Sequence, residues 1–130
     1  MIEPEWIEKE TVLGLHEQSL YEHGGSSGIR DEGMLDSALG KPQNVFAYGH
    51  PNIFDLAASY AYGLVKNHLF IDGNKRTGFV ITILMLELNG HGFTADEADA
   101  AVRTLALAAG DMTEEAYAAW LEANSTPVPA

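Results

Sequence analysis

The run from His68 to Gly78 holds most of the residues in this chain that could do chemistry. It contains an imidazole, a carboxylate, a glycine, a carboxamide and two cations, and an apolar segment follows at once. The first turn of a helix leaves backbone N–H groups without acceptors and carries partial positive charge, so phosphate oxygens bind there readily. The run therefore predicts a phosphate site at the N-terminus of a helix.

The cations of this run stand on an acidic background. The formal net charge is −12, yet Lys66, Lys75 and Arg76, three of the seven basic residues, lie close together in the sequence. Such a charge argues against the broad basic face of a nucleic-acid binder, so no direct nucleic-acid partner is expected. The local cations favour a phosphate site, and the acidic remainder would suit a basic protein partner.

Each residue of the run also has an ordinary structural interpretation. His68 suits the end of a helix, and Asp72 suits an N-cap. Gly73 suits a turn, Asn74 suits a cap or a contact that orients the loop, and Phe70 suits an apolar anchor. A histidine with a nearby carboxylate also suits general acid–base catalysis near neutral pH. Their occurrence together in one short run favours a functional site.

Two other kinds of site fit the run poorly. The stretch from Gly73 to Thr77 lacks the upstream glycine that a nucleotide-binding P-loop requires. A hydrolytic metal site built on His68 and Asp72 would have two cations beside it, which would repel the ion unless phosphate bound first.

Helical periodicity and capping signals predict six helices around this run. The first helix covers about residues 9–23, and the second runs from an Asp31 N-cap to near Gly40–Pro42. The third covers 53–67, and the fourth covers 74–89 with Gly90 as its C′ residue. The fifth runs from a Thr94–Glu97 capping box to 109, and the sixth runs from a Thr113 N-cap to 121. The fourth is apolar almost all round, which predicts a buried central helix. Residues 43–52 lack a helical period and predict a short hairpin or flap.

Length and composition predict one domain. The 130 residues suit a single all-α domain, 1–130, with a core of about 6–123 and a frayed tail at 124–130. Without cysteine there is neither a disulfide framework nor a thiolate zinc site. No apolar run is long enough for a membrane span, and the N-terminus lacks the basic region of a signal peptide. A cytoplasmic location without membrane contact is therefore expected.

The residues from His68 to Arg76, HLFIDGNKR, resemble the signature of the Fic/Doc superfamily, H-x-F-x-[DE/N]-[GA]-N-x-R. Lys75 stands where most Fic enzymes have glycine, which is similar to the Doc (death-on-curing) branch. Further stretches resemble Doc landmarks: Leu15-His16, Gly24-Gly25, Gly28 to Asp31, Leu39 with Pro42 to Asn44, and Leu88 to Gly90. The resemblance spans about residues 6–123.

The resemblance implies the Fic/Doc fold, a compact bundle of about six helices. It also implies the toxin half of a type II toxin–antitoxin system. A Doc-like enzyme is a protein kinase that transfers the γ-phosphate of ATP, with Mg²⁺, to a threonine of elongation factor Tu and thereby inhibits translation. The implied partner is a Phd-like antitoxin, whose disordered tail folds as a helix in an apolar groove. The net charge of −12 predicts Lys or Arg in that tail.

The resemblance also implies a role for each residue of the run. His68 would be the general base for the target hydroxyl, and Asp72 would hold Mg²⁺ or orient the loop. The remaining implied roles concern phosphate: an anion hole from Gly73, Asn74 and Lys75, a phosphate grip from Arg76, and a further phosphate contact from Lys66. Two alternatives stay open: a Fic-like AMP transferase with the same site, and an inactive domain that binds nucleotide or a partner.

Overall fold

Six helices and a two-stranded antiparallel sheet make up the protein, of which a computed structural model describes residues 2–129. The elements are α1 (Lys9–His23), α2 (Glu32–Tyr48), α3 (Ile53–Lys66), α4 (Asn74–Leu88), β1 (His91–Phe93), α5 (Glu97–Ala109), α6 (Glu114–Ala123) and β2 (Ser125–Pro127). The predicted all-α class and the count of six helices are confirmed. Across residues 2–129 no helix combines the length and apolarity that crossing a bilayer requires.

Helix α3 is the buried centre of the bundle. It contacts α2, α4, α5 and α6, and all but three of its 14 residues are buried. The prediction that α4 occupies the centre is wrong, because α4 leaves Val80 40% and Leu88 45% exposed. Apolar residues around a whole helix usually indicate burial on all sides. On α4 part of that apolar surface faces outward instead.

Helix α2 continues through Pro42 to Tyr48, so the predicted end near Gly40–Pro42 and the hairpin or flap at 43–52 are both wrong. An interior proline costs a helix about 3 kcal/mol because it lacks an N–H and crowds the preceding turn. Here Pro42 is itself buried, and beyond it the partly buried side chains of Val45 and Phe46 pack against the core. The Phe46 ring packs edge-on against Trp6 at 5.7 Å between centroids. The packing of these side chains outweighs the cost of the interior proline.

Of the N-caps predicted for α2, α5 and α6, two are confirmed and one is wrong. Asp31 and Thr113 each accept a hydrogen bond from the backbone N–H three residues later. The predicted Thr94–Glu97 capping box does not form, since Asp96 caps α5 instead. The hydroxyl of Thr94 donates to the backbone oxygen of Asn124 at 2.9 Å. The Thr94 hydroxyl, predicted to cap α5, is therefore bonded to a residue 30 positions further along the chain.

The C-terminal segment forms a strand, which overturns the prediction of a frayed tail. Strand β2 pairs antiparallel with β1, with Gly92 opposite Thr126. Beyond the strand, the N–H of Val128 donates to the oxygen of Gly90 at 2.8 Å. Ala130, the last residue of the predicted tail, lies outside the described residues. The pairing is non-local, and a three-residue strand is too short for a visible alternation of apolar residues.

Helices α3 and α4 approach closely where Gly78 meets Val65. A Cβ built on Gly78 would lie 2.5 Å from Cγ1 of Val65, well inside van der Waals contact. Only glycine therefore permits this approach. The contact fixes the start of α4, and with it the cationic end of the His68–Gly78 run, against the central helix.

We expect Gly78→Ala to destabilise the fold by about 1–3 kcal/mol, because the added methyl group must push the two helices apart. Gly14→Ala is the matched control: Gly14 also lies within a helix, but a Cβ there meets nothing within 4 Å. That change should stabilise the protein by about 0.5–1 kcal/mol through helix propensity. Urea unfolding of the three proteins measures both effects. Equal stability of Gly78→Ala and wild type would contradict the close approach.

Candidate active site

The His68–Gly78 run forms the loop between α3 and α4 and the first turn of α4. His68 follows the C-cap of α3, is exposed, and has a φ of 48°. Among residues 2–129 it is the only non-glycine residue with positive φ. Leu69 and Phe70 come next and are fully buried, at 0% and 1% exposure. Phe70 therefore anchors the loop to the core, as predicted.

A glycine-rich segment before α2 holds the loop by backbone hydrogen bonds. The oxygen of Leu69 accepts from the N–H groups of Arg30 at 2.8 Å and Asp31 at 3.3 Å. The N–H of Ile71 donates to the oxygen of Gly28 at 3.1 Å. A Cβ on Gly28, whose φ is +126°, would lie 3.0 Å from the Ile71 side chain. Glycine there provides both the backbone conformation and the room for the loop.

The side chain of Asn74 braces the loop from inside. Its Oδ1 accepts from the N–H of Phe70, and its Nδ2 donates to the oxygen of Phe70, both at 2.9 Å. A carboxamide suits this purpose because it offers an acceptor and a donor side by side. The structure thus places the Asn74 side chain on the loop, and only its backbone N–H remains for an anion.

Asp72 fastens the loop rather than capping the helix. One of its carboxylate oxygens, Oδ2, accepts from the N–H of Ser26 at 2.8 Å. The N-cap position of α4 belongs to Gly73, which has a left-handed φ of 80°. Asp72 and His68 form no ion pair within residues 2–129. The acid–base pair considered from the sequence is therefore absent, and His68 stands alone at the edge of the loop.

The N-terminus of α4 offers open backbone N–H groups. Within the described chain no side chain caps this helix, whereas α2, α3, α5 and α6 all have side-chain caps. Its first backbone hydrogen bond runs from the N–H of Thr77 to the oxygen of Gly73 at 3.0 Å. The preceding N–H groups, those of Asn74, Lys75 and Arg76, thus remain for a ligand. A helix end of this kind binds anions.

Two unpaired cations stand at this helix end. Lys75 and Arg76 are exposed, and neither pairs with a carboxylate in residues 2–129. Lys66, the third predicted phosphate contact, sits at the end of α3, and its ammonium group lies against Gly110, the C-cap of α5. A helix C-terminus attracts a cation, so Lys66 has a structural partner there. The structure brings together Gly73, Asn74, Lys75 and Arg76.

A cleft of about 420 Å³ opens beside the two cations, between α4 and α5. Its lining is mostly apolar and comes from both helices and the end of α1: His23, Lys75, Arg76, Phe79, Val80, Glu97, Ala100, Ala101, Thr104 and Leu105. The outward-facing apolar surface of α4 thus forms one wall of this cleft.

The donor set fits Mg²⁺ only together with a nucleotide. Within residues 2–129 no group of three or more His, Asp or Glu side chains converges on one point. Asp72 has one carboxylate oxygen, Oδ1, to which no hydrogen bond is assigned. Mg²⁺ in nucleotide sites is commonly bound by one or two carboxylates together with phosphate oxygens and water. Asp72 fits that pattern as the protein ligand.

Sequence reasoning gave no role to three residues that the structure brings to the site. His16 lies under the loop, Ser26 holds Asp72, and His23 lines the cleft. His16 had two signals in the sequence: the Leu15-His16 pair resembles a Doc landmark, and His16 lies between the apolar residues Val12 and Leu20 on one face of α1. Ser26 and His23 had none, since their contacts depend on how α1 and the segment after it fold back.

The chain is similar in sequence to known proteins. The family model described as "Fic/DOC family" matches residues 6–86. The curated protein "Toxin Doc" from Mycolicibacterium smegmatis (strain ATCC 700084 / mc(2)155) is 36% identical over 95 residues, which are 71% of this chain and 70% of that protein. "Protein kinase doc" from Escherichia phage P1 is 32% identical over 85 residues, 65% of this chain and 68% of that protein.

Proposed function

The chain belongs to the Fic/Doc family, in its Doc branch, and from this premise we propose that it is a toxin that acts as a protein kinase. It transfers the γ-phosphate of ATP to a hydroxyl group of a target protein. The acceptor that the family resemblance implies is a threonine of elongation factor Tu, whose modification inhibits translation. Two similar proteins support the proposal by their names, since one is named a toxin and the other a protein kinase.

The observation that carries the proposal is the uncapped start of α4 on a rigid loop. The open N–H groups of Asn74, Lys75 and Arg76 and the charges of Lys75 and Arg76 converge on one helix end. Phosphoryl transfer needs positioning and charge stabilisation more than covalent help from the protein. This end of α4 supplies both.

In the proposed reaction the target hydroxyl oxygen attacks the γ-phosphorus of ATP. The new bond joins that oxygen to phosphorus, the bond from phosphorus to the ADP oxygen breaks, and ADP leaves with the bonding electrons. His68, exposed and without an ion-pair partner in residues 2–129, takes the hydroxyl proton. The N–H groups of α4, with Lys75 and Arg76, stabilise the negative charge on the phosphoryl oxygens. Mg²⁺, held by Asp72 when ATP binds, would neutralise phosphate charge.

Lys75 sets which phosphate faces the acceptor. AMP transfer requires the β- and γ-phosphates to lie in the anion hole while the α-phosphate faces the hydroxyl. A lysine side chain at this place fills part of that room and adds a fixed charge. ATP then binds with its γ-phosphate towards His68, which favours phosphate transfer over AMP transfer.

A toxin of this kind needs an inhibitor in its own host, and the cleft between α4 and α5 suits one. We propose that a helix of a Phd-like antitoxin lies there. Val80 and Leu105, 40% and 53% exposed, offer it apolar contacts, and an occupant would lie next to Lys75 and Arg76. Amphipathic helices commonly bind apolar grooves in this way. The occupied cleft would then exclude ATP from the helix end.

We expect His68→Ala to lower phosphate transfer by about 10²–10⁴-fold, the usual effect of losing a general base. The measurement is the intact mass of elongation factor Tu after incubation with ATP and Mg²⁺. His50→Ala is the matched control, since His50 is also exposed and lines a different cleft. A folded His68→Ala protein with the wild-type rate would rule out the proposed base.

The same assay tests Lys75. Wild-type protein should add phosphate to the target, and Lys75→Gly should lose that activity because a cation leaves the phosphoryl site. Lys75→Met separates the two roles of the lysine: it keeps most of the side-chain volume and removes the charge. Lys75→Met should therefore transfer phosphate slowly and transfer no AMP. Addition of AMP by wild-type protein would show that the nucleotide binds in the opposite direction, and no addition would indicate an inactive domain.

For the antitoxin cleft, we expect Leu105→Asp to weaken binding of the co-encoded antitoxin at least tenfold, since it places a charge against an apolar helix face. Val102→Asp should leave binding unchanged, because Val102 is exposed on the same helix but does not line the cleft. Calorimetric titration measures both affinities, and phosphate transfer should persist in both variants. Equal losses in the two variants would place the antitoxin elsewhere.

A further inference from the structure

His16 is a polar residue in the core beneath the active-site loop. It lies on α1, is only 2% exposed, and occupies a helical position that apolar residues hold one turn before and after it. An apolar side chain would fill this space without needing a hydrogen-bond partner. The contacts of the ring therefore account for an imidazole at this position.

The ring forms a hydrogen bond to the backbone of the loop. Nε2 of His16 lies 2.8 Å from the carbonyl oxygen of Asp72. A carbonyl oxygen only accepts, so Nε2 must carry the proton and donate it. The assignment of the tautomer thus follows from the partner.

The ring also packs on two neighbours of that carbonyl group. It stacks on Phe70 with 3.8 Å between the ring centroids and 13° between the planes. A Cβ on Gly73 would lie 3.6 Å from Cδ2 and Nε2 of His16. The imidazole therefore contacts residues on both sides of Asp72 as well as Asp72 itself.

We propose that His16 is a positioning residue for the anion hole of the proposed kinase, and the proposal rests on that function. The peptide between Asp72 and Gly73 is trans, so its C=O and N–H point in opposite directions. By holding the carbonyl towards α1, His16 turns the N–H of Gly73 away from α1. No acceptor for that N–H is found in residues 2–129. It joins the open N–H groups of α4 as a further phosphate donor.

Two variants separate the hydrogen bond from the packing. His16→Gln keeps an N–H donor at nearly the same reach and loses the stacked ring. His16→Phe keeps the stack on Phe70 and loses the donor, so the Asp72–Gly73 peptide is no longer held. Val12→Ala is the control for stability alone, because Val12 is buried on α1 one turn earlier and is 0% exposed.

The experiment measures kcat and KM for ATP, thermal stability, and the backbone N–H signals of Gly73 to Arg76 in NMR titrations with inorganic phosphate. His16→Phe should lower kcat about 10²-fold, as expected for displaced catalytic groups. It should also abolish the phosphate-induced shift at Gly73. His16→Gln should recover kcat to within about tenfold of wild type. Val12→Ala should lose stability and keep both kcat and the phosphate shift.

Wild-type kcat and phosphate shifts in a folded His16→Phe protein would overturn the proposal. If that variant does not fold, the test is the protonated nitrogen of His16 in wild-type protein. Nitrogen NMR must show a proton on Nε2, and a proton on Nδ1 alone would overturn the proposal. The NMR titration does not depend on catalysis. If wild-type protein transfers no phosphate, the proposed function fails, while the phosphate shift at Gly73 still tests His16.

Discussion

The proposed active site depends on one constraint: the first N–H groups of α4 must stay without a protein partner while the helix start stays fixed. Helix ends are normally stabilised by a side-chain cap, which uses the same N–H groups that an anion needs. Here the stabilisation comes from the loop before the helix. Its backbone is held by Asn74, by the segment around Gly28, and by His16.

This arrangement divides the site into a rigid frame and a few exposed side chains. The frame consists of buried rings and of hydrogen bonds to the loop backbone. These bonds come from the side chain of His16 on α1, from the backbone of the segment before α2, and from the side chain of Asn74. The exposed side chains are His68, Lys75 and Arg76, which have no ion-pair partner in the described part of the chain. Rigid support for exposed groups is the usual basis of a preorganised site, because it lowers the free-energy cost of bringing the groups to their working positions.

The sequence predicted what is local and missed what is not. The run around His68, the caps Asp31 and Thr113 and the six helices all follow from neighbouring residues, and the fold class is confirmed. The passage of α2 through Pro42 depended on distant packing, and so did the central place of α3.

The same distinction applies within the site. The residues that converge at the start of α4 could be selected from one short stretch of sequence. Their supports could not, because His16 and Ser26 reach Asp72 from 56 and 46 residues away along the chain. For Asn74 the sequence left a choice between capping and orienting the loop, and the structure shows the second for its side chain. The roles of these residues in catalysis remain predictions.

The left-handed backbone of His68 has a consequence for the history of such a protein. A non-glycine residue in this conformation costs about 1 kcal/mol or more, and glycine avoids that strain. The backbone conformation at this position therefore favours glycine, which has no imidazole. A lineage with no use for the imidazole would meet little resistance to losing the histidine here. Persistence of histidine among descendants would then record continued selection for the imidazole itself rather than for the fold.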